Sequence, residues 1–311
     1  MENDVEESQL QRGISMKIIE VQNLTKDYGN HRGIFDLNFV VEQGEVVGFL
    51  GSNGAGKTTT IRILMGFIHS QQGMSKIFNM DTFFSAKQIQ SEVGYLPGEL
   101  SFLDDRMTGN EFIQFMMETK GSVQKERVHY LLDYFELDAH IKIKKMSKGT
   151  KQKLGLVIAF MHEPSVLILD EPTSGLDPIM QNKFVELIKS EKHKGKTIFM
   201  SSHIFEEVEN TCDRILMVKD GNLVADKGIQ DIRNANKKHY TITFASSEYA
   251  KNFAQIHVGS RFDGDCRVSF FLDHTVNSLL RELVHYDVQD IAIRNQTIEE
   301  VFLQYYGGEK K

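Results

Sequence analysis

The chain has no tryptophan among its 311 residues, only four prolines and only two cysteines. Cys212 and Cys266 form neither a C-x-x-C pair nor a cluster with histidine, so the sequence predicts no disulfide framework, no cysteine-based metal site and a reducing compartment. No segment approaches about 18 consecutive apolar residues and the first residues are acidic, which predicts neither a membrane span nor a signal peptide. The net charge of −7 argues against nonspecific binding to nucleic acid.

A glycine-rich segment, GSNGAGKTT at 51–59, fits the phosphate-loop pattern G-x-x-x-x-G-K-[ST]. The apolar run GEVVGFL before it is typical of a buried parallel strand, and TTTIRILMGFI after it has the helical period. In this setting the loop N–H groups face phosphates at the positive end of a helix. Lys57 is then expected to reach the β- and γ-phosphates, and the Thr58 hydroxyl to bind Mg²⁺. The predicted phosphate-binding residues are Gly51, Ser52, Asn53, Gly54, Ala55, Gly56, Lys57, Thr58 and Thr59.

A second segment, VLILDEP at 166–172, is a buried-strand run that ends in two acids. Ligands of α/β folds bind at the carboxyl ends of strands, so Asp170 is predicted to bind Mg²⁺, directly or through water. Glu171 follows it, where a carboxylate could take a proton from the attacking water. The alternative is that the acids only stabilise a helix N-terminus, since Pro172 and Thr173 follow. Behind a phosphate loop we favour the catalytic interpretation.

Two further segments complete an ordered set, because SKGTKQK at 147–153 precedes the acids and SSH at 201–203 follows them. The four segments in this order resemble the ATP-binding subunits of ABC (ATP-binding cassette) transporters. The resemblance covers residues 16–227, and the pair formed by SKGTKQK and DEP is far more specific than the phosphate loop. It implies ATP and Mg²⁺ as ligands and ATP hydrolysis as the reaction.

The signature motif of this family reads LSGGQ, and Ser147 and Gly149 match its positions that contact the γ-phosphate. Lys148 and Thr150 depart from the motif. Ser147 is also a good N-cap before a helical apolar pattern, and a helix start directs free N–H groups at an anion. The resemblance implies that this anion is ATP held by a second subunit, so that a homodimer or heterodimer encloses the nucleotide. A capped core helix without a ligand is the alternative.

Three more positions are carried over from the resemblance. Tyr28 matches the aromatic residue that stacks on adenine, Asp177 lies in the loop that communicates between the two ATP sites, and His203 matches a histidine that contacts the γ-phosphate. A half-buried core tyrosine is the alternative for Tyr28. A lone histidine would by default have a structural or solvent role, but His203 follows a third apolar strand pattern, TIFMSS.

In one place the sequence departs from the family. The glutamine that usually follows a strand resembling VGYLP is replaced by Gly98, with Glu99 next. Because that glutamine helps to hold Mg²⁺ and the attacking water, we hypothesise that Glu99 or a water takes its place. The loop is expected to keep a coupling role through Glu99, Leu100 and Phe102. The alternative is that Glu99 is a solvated loop acid.

The sequence predicts three parts. Residues 1–15 are polar and are expected to form a disordered N-terminal extension. Residues 16–228 are the predicted ATPase domain, an α/β phosphate-loop core with a largely parallel sheet, an antiparallel portion and a helical insert at about 98–160. Residues 229–311 read as βαββαβ plus a last helix, which predicts a small ferredoxin-like α+β domain. This last part resembles the C-terminal extension of ATPases linked to drug and antibiotic export.

The predicted function is therefore ATP hydrolysis by the nucleotide-binding subunit of an ABC transporter, an exporter by its C-terminal resemblance, with Lys57, Glu171 and His203 as catalytic residues. The resemblance implies a separate multi-span permease and a cytoplasmic position on the inner face of the membrane. A soluble ABC ATPase acting on ribosomes or DNA is the alternative, although ribosome-acting members carry two cassettes in one chain. An unrelated phosphate-loop kinase or GTPase would lack SKGTKQK and SSH.

Overall fold

A computed structural model describes residues 16–121, 123–234, 238–257, 259–271, 276–295 and 297–307. The predicted disordered extension, 1–15, lies outside these residues. The chain divides into two compact units between Gly228 and Ile229. None of the described helices is both long and apolar enough to cross a membrane.

A six-stranded sheet forms the centre of the first unit, in the order β10-β9-β3-β8-β7-β6. Strands β6 to β9 and β3 run parallel, and β10 returns beside β9 as an antiparallel hairpin. Every residue of β3, β7 and β8 is buried, which explains their continuous apolar runs. The strands are β3 (Val46–Leu50), β6 (Val93–Leu96), β7 (Val166–Asp170), β8 (Thr197–Ser202), β9 (Arg214–Lys219) and β10 (Asn222–Gly228).

A second, antiparallel sheet in the order β2-β1-β4-β5 confirms the predicted antiparallel portion. Its strands are β1 (Lys17–Asp27), β2 (Gly33–Glu42), β4 (Gln72–Ile77) and β5 (Met80–Asp81). The two sheets share one hydrophobic core. In it the rings of Phe39 on β2 and Phe199 on β8 stack with their centroids 5.6 Å apart, and Phe49 on β3 lies 5.4 Å from Phe199.

Helices cover the parallel sheet and form the predicted insert. They are α1 (Lys57–Leu64), α2 (Ala86–Glu92), α3 (Gly109–Lys120), α4 (Lys125–Tyr134), a 3₁₀ turn (Ile143–Lys145), α5 (Lys148–Phe160), α6 (Pro178–His193) and α7 (Phe205–Thr211). Helix α3 begins at a capping box between Thr108 and Glu111, as the sequence predicted. The insert is fixed to the core by Arg127 on α4, which donates to Glu191 on α6 at 2.8 Å.

The second unit contains a four-stranded antiparallel sheet in the order β12-β13-β11-β14. It begins with a helix that the sequence did not predict, α8 (Ile229–Asn234). The elements after it follow the predicted order: β11 (Lys238–Phe244), α9 (Ser247–Ile256), β12 (Arg261–Gly264), β13 (Arg267–Phe271), α10 (Val276–Leu283), β14 (Val288–Asn295) and α11 (Ile298–Gly307). Thr297 and Glu300 exchange hydrogen bonds at the start of α11, which is the predicted cap. A core of its own holds this unit together, around Tyr240, Phe244 and Phe253.

Candidate functional site

Three of the four segments singled out in the sequence, those that follow β3, β7 and β8, meet at one edge of the parallel sheet. Strand β8 lies between β3 and β7, so the residues that follow β3, β7 and β8 are brought side by side. In this register Ser201 of β8 lies beside Asp170 of β7, and Ser202 lies beside Leu50 of β3. Because the carboxyl ends of neighbouring parallel strands share an edge, three separate sequence segments can form one site.

The phosphate loop connects β3 to α1 over residues 51–56. Gly54 and Gly56 have φ angles of +83° and +109°, a region that favours glycine. A Cβ atom on Gly56 would lie 2.6 Å from Cγ2 of Ile34, so no larger residue fits there. Gly54 borders open space, with nothing within 4 Å of an added Cβ. The loop backbone is therefore bent by its glycines and open towards solvent, as a phosphate cradle requires.

Lys57 is the first residue of α1, and it is only 5% exposed. Its Nζ donates to the carbonyl oxygens of Gly51 at 2.7 Å and Ser52 at 3.3 Å, and it lies 3.6 Å from Oε1 of Glu171. A buried ammonium is costly unless it is paired, and here it is held among oxygens at the mouth of the loop. The arrangement holds a positive charge where an incoming phosphate group can replace the carboxylate as its partner.

A cavity of about 340 Å³ opens beside this lysine. Its lining residues are Tyr28, Arg32, Gly33, Asn53, Gly54, Gly56, Lys57, Thr58, Thr59 and Glu171. Tyr28 is 56% exposed, so the alternative of a half-buried core tyrosine is wrong. Its ring stands at the rim, where a flat aromatic surface is available to a planar base.

Asp170 has an unpaired oxygen that a divalent cation would satisfy. The side chain is 1% exposed, and its Oδ1 accepts a hydrogen bond from Ser201 Oγ at 2.5 Å. Its Oδ2 is buried and has no hydrogen-bond partner within the described chain. Asp170 shares the lining of a second cavity with Thr58, an exposed residue. A carboxylate and a hydroxyl are the hard oxygen donors that Mg²⁺ prefers, so the residues present fit this ion.

Glu171 and His203 form the next pair, with Oε2 of the glutamate 3.5 Å from Nδ1 of the histidine. Glu171 has a φ of +48°, an uncommon value for a residue with a side chain. Its N–H donates to the carbonyl oxygen of Ser201 at 3.2 Å and to the hydroxyl of the same residue at 3.0 Å. Helix α6 begins only at Pro178, so the alternative that these acids stabilise the start of a helix is not what the structure contains. The strained backbone directs the carboxylate towards Lys57 and His203.

The signature segment lies outside the cavity lining. Ser147 caps α5 as predicted, since its Oγ accepts the N–H of Thr150 at 3.1 Å. Gly149 sits tightly against the loop after Glu171, and a Cβ added there would lie 2.7 Å from the carbonyl oxygen of Gly175. Neither Ser147 nor Gly149 is among the residues that line the 340 Å³ cavity. Within one chain, the signature helix is therefore not part of the phosphate site.

Two other predicted positions have simple local contacts. Asp177 is the N-cap of α6, and its Oδ1 accepts the N–H of Met180 at 3.0 Å. Gly98 faces Asp170, since an added Cβ would lie 3.0 Å from Oδ2 of that residue. The carboxylate of Glu99 is highly exposed, and the cation beside it is Arg62 at 3.9 Å. Glu99 also lines the cavity that Thr58 and Asp170 share, so its role beside them stays a prediction.

Sequence reasoning missed residues that hold the site in place. Gln152 on α5 is 2% exposed and donates through Nε2 to the carbonyl oxygens of Glu171 at 3.3 Å and Pro172 at 2.8 Å. Ser201 supports both Asp170 and Glu171. Gln152 lies inside the segment SKGTKQK and Ser201 inside SSH, both of which were singled out in the sequence. The contacts of these two side chains, however, depend on how α5 packs and on the register of β8 beside β7.

Comparisons with known proteins agree with this site. A family profile described as ABC transporter matches residues 34–174. The chain is 34% identical over 301 residues to the bacitracin transport ATP-binding protein BcrA of Bacillus licheniformis, which covers 94% of this chain and 98% of that protein. A solved ATP-binding subunit of an ABC transporter has a TM-score of 0.65 and 31% identity over 70% of this chain and 92% of its own. The dimeric post-hydrolysis ATP-binding cassette MJ0796, bound to ADP and Pi, shares the fold with a TM-score of 0.62 and 23% identity over 68% of this chain and 99% of its own. The α/β phosphate-loop fold predicted for the first unit is confirmed.

Proposed function

Because this chain belongs to the ABC transporter family and is an ATP-binding, ATP-hydrolysing subunit of it, we propose that it works as one half of an ATPase pair that drives a separate membrane permease. The observation that carries the proposal is the meeting of Lys57, Glu171 and His203 at one sheet edge, with the carboxylate 3.6 Å from the lysine and 3.5 Å from the histidine. Phosphoryl transfer requires mainly positioning and charge stabilisation, and this group of side chains supplies both.

In the proposed reaction, Lys57 stabilises charge on the β- and γ-phosphates, and Glu171 orients or deprotonates the attacking water. His203 contacts the γ-phosphate and senses its presence. Thr58 and Asp170 would hold Mg²⁺, which neutralises charge on the phosphate oxygens when it is bound. The exposed ring of Tyr28 at the cavity rim is available to stack on adenine.

The second ATPase subunit is proposed to complete the site. Ser147 and Lys148 are exposed at the start of α5 and lie outside the cavity of their own chain. A helix start attracts an anion, so we propose that Ser147 and Gly149 of each copy contact the γ-phosphate bound by the other. Asp177, which begins α6, would lie in the loop between the two sites. Closure on ATP and opening after hydrolysis would then move the attached permease through a population shift between two states.

The permease is proposed to bind at the second cavity, a groove of about 530 Å³. Its lining includes Phe67 and Phe102, which are 52% and 37% exposed, together with the cationic Lys120. The same groove reaches Thr58 and Asp170, so a segment bound in it would lie beside the proposed Mg²⁺ ligands. The name of the bacitracin relative supports export as the direction of transport. The proposed position of the chain is the inner face of the cell membrane.

Glu171→Gln tests the catalytic assignment. The variant keeps the shape of the side chain but loses its charge, and it is expected to bind ATP, form a stable dimer and lose at least about a hundredfold in turnover. Gel filtration with and without Mg-ATP, together with steady-state ATPase assays, measures both effects. The matched control is Glu206→Gln, which neutralises an exposed acid on α7 and is expected to behave like the native protein. Native turnover in Glu171→Gln would overturn the base assignment.

Purification of the tagged chain from native membranes tests the partner. A multi-span membrane protein in near-equal amount is expected, and Phe102→Asp, which places a charge in the groove, is expected to reduce its recovery while leaving the ATPase activity of the free subunit intact. Recovery of ribosomal or other soluble partners, with no membrane protein, would instead support a soluble ABC ATPase.

A further inference from the structure

Glu207 on α7 is a buried acid to which the reaction proposed above gives no role. Its side chain is 5% exposed. Its Oε2 accepts hydrogen bonds from Ser202 Oγ at 2.8 Å and from Thr173 Oγ1 at 3.0 Å. Its Oε1 is buried and, within the described ranges, has no hydrogen-bond partner. Burying a carboxylate with one unpaired oxygen costs free energy, so packing alone does not explain a glutamate at this position.

The two hydroxyls that hold Glu207 come from the two segments that carry the reacting side chains. Thr173 lies two residues after Glu171, and Ser202 directly precedes His203. One carboxyl group therefore connects the turn after β7 with the end of β8. Glu171 and His203, which belong to these two segments, lie 3.5 Å apart, although only Glu171 is among the residues that line the nucleotide cavity.

Ser202 and Thr173 each make a further hydrogen bond to a backbone N–H group of their own segment. The Ser202 hydroxyl that donates to Glu207 also accepts the N–H of Ile204 at 3.0 Å, so it fixes the chain on both sides of His203. In the other segment, the carbonyl oxygen of Thr173 accepts the N–H of Leu176 at 3.0 Å, which closes the turn. A displacement of the Glu207 carboxyl group would therefore act on both segments through these hydrogen bonds.

We infer that Glu207 is a positioning residue for ATP hydrolysis, because its carboxyl group joins the segments of Glu171 and His203 and keeps these two side chains in reach of one another. The inference rests on the proposed function, in which both side chains act at the γ-phosphate. Glu207 itself is not among the residues that line the nucleotide cavity, so it acts through Thr173 and Ser202.

The electrostatic setting of Glu207 provides a second readout. Burial raises the pKa of its carboxyl to about 7, the two hydroxyl donors act in the opposite direction, and the negative charge of Glu171 raises it further. The charge of this carboxyl also acts on Cys212, just after α7, whose burial raises its thiol pKa to about 12 and keeps it neutral. The charge on the Glu207 carboxyl therefore changes near neutral pH, beside Glu171.

Glu207→Gln in the full chain tests the inference. The amide has the same shape, but it does not titrate and its two terminal atoms are no longer equivalent acceptors. We expect kcat for ATP hydrolysis to fall about tenfold, because small misplacements of reacting groups are costly. The KM for ATP should stay within about twofold, since the side chain does not line the cavity. The kcat profile against pH should also lose an ionisation near neutral pH.

Variants of Thr173, one of the two hydroxyl donors, distinguish an effect on positioning from an effect on the stability of the fold. Thr173→Val removes one hydroxyl and should lower kcat in the same way, whereas Thr173→Ser keeps the hydroxyl and should retain native kcat. The control is Thr211→Val on the same helix, which loses the hydrogen bond of its Oγ1 to the backbone oxygen of Glu207 at 2.7 Å but leaves the carboxyl group untouched. Native kcat is expected for this control.

Native kcat and an unchanged pH profile in Glu207→Gln would overturn the inference. An equal loss of kcat in Thr211→Val would also overturn it, because helix stability would then explain the effect. Failure of the proposed function looks different: the native chain would hydrolyse no ATP, or Glu171→Gln would not change turnover.

Discussion

The hydroxyl of Ser201 donates to Oδ1 of Asp170 at 2.5 Å, while Oδ2 of the same carboxylate is buried without a partner inside the described part of the chain. One strand thus fixes the orientation of an acid on its neighbour and leaves the other oxygen available. Buried polar atoms are almost always paired in folded proteins, so an oriented acid with one unpaired oxygen indicates a binding site rather than a packing element.

Asp170→Asn is expected to keep the fold and to lose the response to Mg²⁺. The amide has nearly the same volume and removes a buried charge, so the melting temperature without nucleotide should not fall. The increase in ATP affinity produced by Mg²⁺ should drop by about 10- to 100-fold, the usual range for weakened metal sites. Titration of a fluorescent ATP analogue with and without Mg²⁺ measures this.

Ser201→Ala is the matched variant for Asp170→Asn. It removes the hydroxyl that orients Asp170 but leaves both carboxylate oxygens, so its effect on Mg²⁺-dependent affinity should be smaller, about tenfold or less. If Asp170→Asn binds Mg-ATP as the native chain does, the assignment of Asp170 as a ligand is wrong.

Gly149→Ala is expected to abolish most ATP hydrolysis without weakening ATP binding to the single chain. The new Cβ would lie 2.7 Å from the carbonyl oxygen of Gly175. To relieve this overlap the backbone segments of residues 149 and 175 must move apart, which costs free energy. The start of α5 should therefore shift, at a cost of about 1–3 kcal/mol in the free energy of unfolding. ATPase assays measure hydrolysis, equilibrium titration measures ATP binding, and urea unfolding measures the free energy of unfolding.

A glycine far from the site provides the control for Gly149→Ala. Gly195 has a φ of +80° and nothing within 4 Å of an added Cβ, so Gly195→Ala adds only backbone strain of about 1 kcal/mol. Its ATPase activity should stay native. An equal loss of activity in both variants would show that the effect comes from stability alone.

The sequence predicted those parts of the site in which function depends on neighbouring residues in the chain. The phosphate loop, the DEP turn and the cap at Ser147 are each contained in a short segment, so strand and helix periods were enough to place them. The helical insert and the order of strands and helices from β11 onwards in the second unit were predicted from the same periods, whereas the antiparallel sheet was expected only from the family resemblance. These periodic patterns determine the secondary structure of each segment but not which other segment it contacts.

Contacts between segments were not predictable in this way. Ser201 lies beside Asp170 because of the register between β7 and β8. Both strands are continuous apolar runs, and such runs do not indicate the register of a parallel pair. That Glu207 is buried depends on where α7 packs, since a glutamate on a short helix is usually exposed. The ion pair of Glu99 with Arg62, at 3.9 Å, is another contact between segments that the sequence did not predict.

Replacement of Glu191 is expected to destabilise the first unit. The carboxylate is fully buried and makes ion pairs with Arg127, Lys194 and Lys196. Burial alone would raise its pKa, but the hydrogen bonds from Lys196 and Lys194 overcome this effect and leave the pKa lowered. Glu191→Gln leaves these cations without a counter-charge and should cost about 3–5 kcal/mol in the free energy of unfolding.

Urea denaturation at neutral pH measures the effect of Glu191→Gln. The comparison variant is Lys194→Ala, which removes a cation whose side chain is 46% exposed and should cost about 1 kcal/mol or less. Equal midpoints for the two variants would show that the buried cluster does not hold the helical insert against α6.

Glu207 should make the stability of the native chain fall as the pH rises from about 4.5 to about 7. Burial raises the pKa of its carboxyl to about 7 in the fold from an ordinary value of 4.5, so between these values the folded state binds more protons than the unfolded state. The favourable contribution is complete below pH 4.5 and is lost as the pH passes through 7, a change of about 3 kcal/mol. Other groups titrate in the same range, so the measured quantity is the difference in unfolding free energy between Glu207→Gln and the native chain at several pH values. This difference should move in favour of the variant as the pH rises, whereas a constant difference would mean that the carboxyl has an ordinary pKa.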